Sequence, residues 1–201
     1  PHHLGMPVSD LGSLPGYHAL LTLEPRFRRE RKFKNRLVLN VEQLHRAQQM
    51  IRRVELELDG ARLGGRFMAT AHLMELVGYL SRCYSQLQRE DHPTVTRLGE
   101  VLGYLDRHYN EPVTIADLLH VAHMSQTSLM RAFRQTVGHS PIEYLTRLRI
   151  SRAKSLLHRT GHSITEVAHQ VGFADSNYFA RQFRRLTGSS PRDYRRRMRH
   201  P

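Results

Sequence analysis

Thr114-Ile115-Ala116-Asp117-Leu118-Leu119 returns forty-nine residues later as Ser163-Ile164-Thr165-Glu166-Val167-Ala168. That register holds through Ala122 with Val171 and Met124 with Phe173. It then shifts by one: Leu129 pairs with Phe179, Phe133 with Phe183, Gly138 with Gly188, Ser140-Pro141 with Ser190-Pro191 and Tyr144 with Tyr194. One residue has been inserted in a turn, where two copies of a structural unit tolerate it.

Each copy carries its own punctuation. Thr114 and Ser163 have N-cap chemistry and are followed three residues on by an acid, Asp117 or Glu166. The second pair makes a full capping box and the first a shorter-armed version of it. A short helix then ends near Val121 or Gln170, a tight turn follows, and a longer helix runs to Gly138 or Gly188, each a good C′ residue. Ser140-Pro141 and Ser190-Pro191, with Glu143 and Asp193 at N3, open a further helix. Two short helices joined by a tight turn form a helix-turn-helix. The chain therefore holds two of them, at about 114–137 and 163–187, joined by a helix from Pro141 to His158. The competing reading, a helical-repeat scaffold for protein partners, needs three or more stacked units.

Composition bounds what these helices do. The chain has 201 residues, 31 Lys+Arg and 18 Asp+Glu, for a formal net charge of +13, and 39% hydrophobic residues. That is lean but enough for small helical cores. Residues 1–93 carry 14 basic and 10 acidic side chains and residues 94–201 carry 17 and 8, so the positive excess sits with the repeat. Nucleic acid, an acidic membrane or an acidic protein would balance it. The run Arg195-Arg196-Arg197 alone reads equally well as a solvated tail. The single cysteine, Cys83, excludes a disulfide framework and a cysteine-based metal site, and it fits a reducing cytoplasm. The most apolar stretch, Phe67–Tyr84, is broken by Thr70, His72, Glu75, Ser81 and Arg82, which argues against a membrane span. Pro1-His2-His3 has neither the basic opening nor the apolar middle of a signal peptide.

Ahead of the repeat the chain reads in three pieces. Residues 1–35 hold four of the nine prolines and an apolar run Tyr17–Leu23 that reads as one β-strand, and a basic stretch then runs from Arg26 into Arg36. A strand alone is not stable, so it would be the end of a sheet domain. Residues 36–85 read as a helical hairpin. Asn40 is an N-cap, and Leu44, Ala47, Ile51, Val54 and Leu58 follow 3-4 spacing as a two-heptad seam that stops at Gly60. A second helix from about Phe67 to Ser85 is apolar on most of its circumference and must be buried, against its neighbour or a second subunit. Leu44, Ile51, Val54 and Leu58 are thus the expected seam of a homodimer. Residues 86–93, ending in Pro93, form a polar linker to the domain at 94–201.

The repeat also resembles a known family. Phe133, Gly138, Ser140-Pro141, Tyr144-Leu145, the run Arg149–Leu157, Ile164, Ala168, Gly172-Phe173, Asp175-Ser176-Asn177-Tyr178-Phe179, Phe183-Arg184, Gly188, Pro191 and Tyr194-Arg195 fall in the order and spacing of the AraC-type DNA-binding domain of bacterial transcription regulators. Asp175-Ser176-Asn177 is similar to the corresponding run in rhamnose-type regulators. The chain departs from the family at His123, where many members have Gly, and at Leu119, where Ala is usual. His tolerates the left-handed conformation better than most residues.

The resemblance implies a mainly α fold with a seven-helix double helix-turn-helix domain. It also implies a transcription regulator, expected to be an activator. Such regulators often carry a cupin-type sensing barrel followed by a dimerising hairpin, so residues 1–35 would hold only the end of that barrel. The effector ligand stays open, and no cofactor is expected.

In each motif the second helix should enter a major groove, the two grooves being successive and about 34 Å apart. Leu129 and Phe133 take the buried face of the first recognition helix. The family's base-reading positions fall on Thr127, Met130 and Arg131, with Arg134 at the backbone. Arg131 suits guanine, and Thr127 and Met130 suit a thymine methyl. In the second helix Ser176, Asn177, Ala180 and Arg181 face outward, with Asn177 suited to adenine. Asp175 either caps the helix or accepts from cytosine. Arg184, Arg185 and Arg195 are expected at phosphates, which position the protein without specifying sequence. Glu166 falls where family members can face the RNA polymerase sigma subunit.

Enzyme chemistry finds little support. Fourteen histidines are present, but His2-His3, His158, His162 and His169 are not arranged as His-x3-His on one helix face with a carboxylate, and His120 and His123 straddle a turn. No metal site, catalytic residue or Gly-rich phosphate loop is expected. Cys83 reads as a core thiol.

Overall fold

The computed structural model describes residues 14–23, 37, 39–60, 63–87 and 93–199. These divide between two compact units, Pro1–Tyr104 with Val121–His123 and Leu105–His120 with Met124–Pro201. The basic stretch Arg26–Arg36 and most of the 86–93 linker lie outside the described residues.

In the first unit, α1 (Val41–Asp59) begins at Asn40, whose side chain accepts from Gln43 N at 2.8 Å while Gln43 Oε1 accepts from Asn40 N at 3.0 Å. This reciprocal box satisfies two of the orphan donors at the helix start. α2 (Gly65–Leu87) packs against α1 through Ala47 and Met50 on one side and Leu76, Tyr79 and Cys83 on the other. The Arg46 guanidinium lies 5.2 Å from the centre of the Tyr79 ring. Met50, outside the expected seam, is therefore a main internal contact of the hairpin. Leu44, Ile51 and Leu58 stay 48%, 44% and 58% exposed, and Val54 is half-buried.

The expected strand at Tyr17–Leu23 is helical instead, with an α turn at Pro15–Tyr17 and wider π-helical bonding over His18–Leu23. A lone strand would leave its backbone groups without partners, whereas a helical turn satisfies them locally. The α2 surface supplies the rest of the reason. Gly16 N donates to Ser85 Oγ at 3.0 Å, Ala19 and Leu23 are buried one turn apart, and a Cβ at Gly16 would collide with the Ser81 carbonyl.

The repeat region is all helix: α3 (Pro93–Arg107), α4 (Ile115–Ala122), α5 (Gln126–Val137), α6 (Pro141–Arg159), α7 (Ile164–Gln170), α8 (Ser176–Thr187) and α9 (Pro191–Arg199). These are the seven helices expected of the domain. In the second motif Val167, Ala168, Val171, Phe173, Phe179 and Phe183 close a core on Ile150, Ala153 and Leu157 of α6. In the first, Leu118, Leu129 and Phe133 are equally buried. No described helix is long and apolar enough to cross a membrane.

Candidate nucleic-acid interface

The surface that could meet DNA is set first by the caps. Thr114 N donates to Asp117 Oδ2 at 2.8 Å and Asp117 N to Thr114 Oγ1 at 3.2 Å. Ser163 N donates to Glu166 Oε2 at 2.6 Å and Glu166 N to Ser163 Oγ at 3.1 Å. Both boxes are closed, and the backbone donors of Thr114 and Ser163 hold the two carboxyls below the usual carboxylate range. Glu166 is exposed while it does this.

The two second helices, α5 and α8, are each twelve residues long. Ser125 opens α5, accepting from Ser128 N at 3.3 Å. Asp175 opens α8 more strongly, its Oδ1 accepting from Asn177 N at 2.7 Å and Tyr178 N at 3.2 Å. Asp175 is thus a cap in the free protein, one of the two roles expected for it. Gly138 and Gly188 end the helices at φ 84° and 78°, donating to Arg134 O and Arg184 O. Each motif is then locked to the helix that follows by an edge-to-face aromatic pair, Phe133–Tyr144 at 5.9 Å and Phe183–Tyr194 at 5.4 Å.

With those faces buried, the outward faces follow by helical geometry. On α5, Thr127, Arg131 and Arg134 are exposed and Met130 is half-buried. On α8, Asn177, Arg181, Arg184 and Arg185 are exposed, with Ser176 and Ala180 half-buried between them. The cationic and amide groups therefore gather on the helix faces opposite the buried aromatics, with no metal-binding group of side chains among the described residues.

Three features were not foreseen from the residues. Tyr178 is 44% exposed and carries the Arg181 guanidinium 5.8 Å from its ring centre. Arg195 is half-buried and donates to His162 O at 2.6 Å, so its guanidinium ties α9 to the loop ahead of α7. Arg149 is half-buried, and burial holds its guanidinium below the ordinary arginine range. It donates to Tyr109 O at 2.6 Å and Glu111 O at 2.7 Å. A signal for Arg149 existed: it stands four residues after Leu145 and four before Ala153, on the buried stripe of α6.

Two capped helix-turn-helix motifs braced by one helix, with basic outer faces, define a DNA-binding domain of the double helix-turn-helix class. Residues 118–197 match the family described as "Helix-turn-helix domain". The HTH-type transcriptional activator RhaS of Salmonella schwarzengrund (strain CVM19633) is 38% identical over 99 residues, 49% of this chain and 36% of that protein. RhaS of Enterobacter sp. (strain 638) matches to the same extent. The solved DNA-binding domain of AdpA, described as the global transcriptional factor in complex with a target DNA, is similar at 34% identity and TM-score 0.50. That match covers 51% of this chain and 93% of that one. The second half of this chain is an AraC-type DNA-binding domain. The chain spans about a third of the length of the curated relatives it matches.

Proposed function

We propose that this protein is a sequence-specific transcription regulator, acting as an activator, whose two recognition helices read successive major grooves on one face of DNA. The observation that carries the reading is the duplication itself. α5 and α8 bury equivalent positions, Leu129 and Phe133 in one and Phe179 and Phe183 in the other, and expose the same kind of face, so one binding mode is presented twice. Thr127, Met130 and Arg131 serve as base readers in the first motif, and Asp175, Ser176, Asn177, Ala180 and Arg181 in the second. Arg134, Arg184 and Arg185 serve as phosphate contacts. Arg195, already donating to His162 O, is a poorer phosphate ligand than those three. Glu166 offers its free surface to the RNA polymerase sigma subunit. No catalytic step is assigned, and the work is done in the cytoplasm, where the DNA is.

The exposed Leu44, Ile51 and Leu58, with half-buried Val54, form the surface on which a second copy of the chain would pair, placing two reading domains on one operator. A wild-type chain that sediments as a monomer up to tens of micromolar, on the order of what a specific dimer needs, contradicts the pairing.

The reading of bases is tested by affinity for a selected duplex and a random duplex across a salt series. Arg131→Ala and Asn177→Ala should each cost roughly 1–3 kcal/mol on the selected duplex and little on the random one. Arg184→Ala should weaken both alike and lower the salt slope by about one. Equal losses on both duplexes for Arg131→Ala would make Arg131 a backbone clamp.

A further inference from the structure

Arg149 occupies a place that its charge does not explain. It lies on the face of α6 that carries Leu145, Ala153 and Leu157, all buried, and its guanidinium meets two backbone carbonyls there. The two carbonyls, of Tyr109 and Glu111, belong to the loop that leads into α4, the first helix of the first motif. The same guanidinium lies 5.6 Å from the centre of the Phe173 ring, in the turn of the second motif. Phe173 is 6.0 Å from the Tyr178 ring, and Tyr178 in turn carries Arg181. A single run of cation and ring contacts thus leads from the entry of the first motif to the exposed face of the second recognition helix.

The backbone closes the same junction. A Cβ on Gly172 would stand 2.8 Å from Tyr109 O and 2.9 Å from Asn110 Cα and C, so the turn of the second motif lies directly against the entry loop of the first. Three residues along α6, Arg152 reaches Asp106 at 3.5 Å and lies 5.4 Å from the centre of the Tyr109 ring. Filling this space needs only an apolar side chain. Holding two particular carbonyls and one ring at once needs a planar group with donors pointing in several directions, which is what a guanidinium supplies.

We propose that Arg149 is a positioning residue that sets the register between the two recognition helices, so that the protein selects DNA sites by the spacing of their two halves as well as by their bases. The inference rests on the reading of both helices into successive grooves. One added base pair turns the second half-site by about 34° and moves it about 3.4 Å, which a rigid junction cannot follow and a loosened one can.

The test uses the full chain. Wild-type protein selects a duplex from a random-sequence pool, and derivatives are made with one base pair inserted or removed between the two contacted segments. Wild type should bind the shifted duplexes at least about tenfold more weakly than the parent, the scale of a lost specific base pair. Arg149→Met, which keeps the stem and removes every donor, should bring that ratio below about threefold, whatever its affinity for the parent. A variant that weakens on parent and shifted duplexes alike, with the wild-type ratio intact, makes Arg149 a merely structural residue and overturns the inference. If Arg149→Met melts below the assay temperature, Arg149→Lys, which keeps the charge without the fork, is read on the same duplexes and its ratio decides. If wild type selects no duplex, the regulator reading fails. If it selects one but tolerates the shifts, that reading stands and the inference about Arg149 falls.

Discussion

His123 and Gly172 stand at the same place in the two helix-turn-helix motifs, and both carry the chain through positive φ, at 48° and 90°. Only one of them has to be glycine. At Gly172 a Cβ would press on the Tyr109 and Asn110 backbone, which cannot move aside as a flexible side chain would. His123 bears a side chain and is exposed, at the conformational cost of about 1–2 kcal/mol that any L-residue meets in the left-handed region. The position four residues earlier differs in the same sense: Ala168 is fully buried in the second motif, and its counterpart Leu119 is half-exposed in the first. The two copies keep what each needs locally, the caps, the terminal glycines and the Phe–Tyr pairs. They diverge where their surroundings differ. A turn glycine is demanded by φ and by neighbours together, and here the neighbours separate the two motifs.

The contrast can be broken most forcefully at Gly172. Gly172→Ala should destabilise the second unit by about 3 kcal/mol, from positive φ and backbone collision combined, read as a shift in urea midpoint. A loss below about 1 kcal/mol would mean that the entry loop yields easily and that the motifs are less tightly joined than the contacts indicate.

The caps should behave alike in the two copies. Thr114→Ala and Ser163→Ala should each cost about 1 kcal/mol, by the same measurement. Their acids add a pH dependence whose sign is fixed. Asp117 and Glu166 have folded-state pKa values below their unfolded ones. Their contribution is therefore complete above the unfolded range of about 4 and fades as pH falls through the lower folded values. Melting followed between neutral and acid pH should show that fade reduced in Asp117→Asn and Glu166→Gln. An unchanged acid limb in both variants would remove the boxes from the account.

The smallest effect is expected at His123. His123→Gly exchanges left-handed strain for backbone freedom lost on folding, terms of about 1 kcal/mol each and opposite in sign. The melting temperature should hardly move. A loss above about 2 kcal/mol would show that the His123 side chain, and not its backbone, holds the first turn.

Much of this molecule was legible in its residues because the signals are local. A cap, a C′ glycine and a Ser-Pro helix start act within four or five residues, so both boxes, both αL glycines and the six helices from α4 to α9 stand close to where their residues indicated, while α3 was implied only by the family resemblance. The outward sets on α5 and α8 follow from the same periodicity, with Leu129 and Phe133 buried in one helix and Phe179 and Phe183 in the other. The hairpin was legible in outline, while its internal contact passes through Met50 as well as Ala47.

What only the tertiary structure decided depends on residues far apart in the chain. The run Tyr17–Leu23 is apolar enough for strand or helix, and the surface of α2 some sixty residues away, with Ser81 and Ser85 against Gly16, selects the helix. Arg195 reads as a solvated or phosphate-binding charge until the His162 carbonyl is found beside it. Arg149 reads as one more basic residue until two carbonyls from the loop forty residues earlier and a ring from the second motif converge on it. Sequence alone determined the elements and their ends, because hydrogen bonds within a turn and the helical period are properties of neighbouring residues. Which side chains become braces was decided only by folding, because a carbonyl or ring becomes a partner through proximity in space, and no local pattern encodes that proximity.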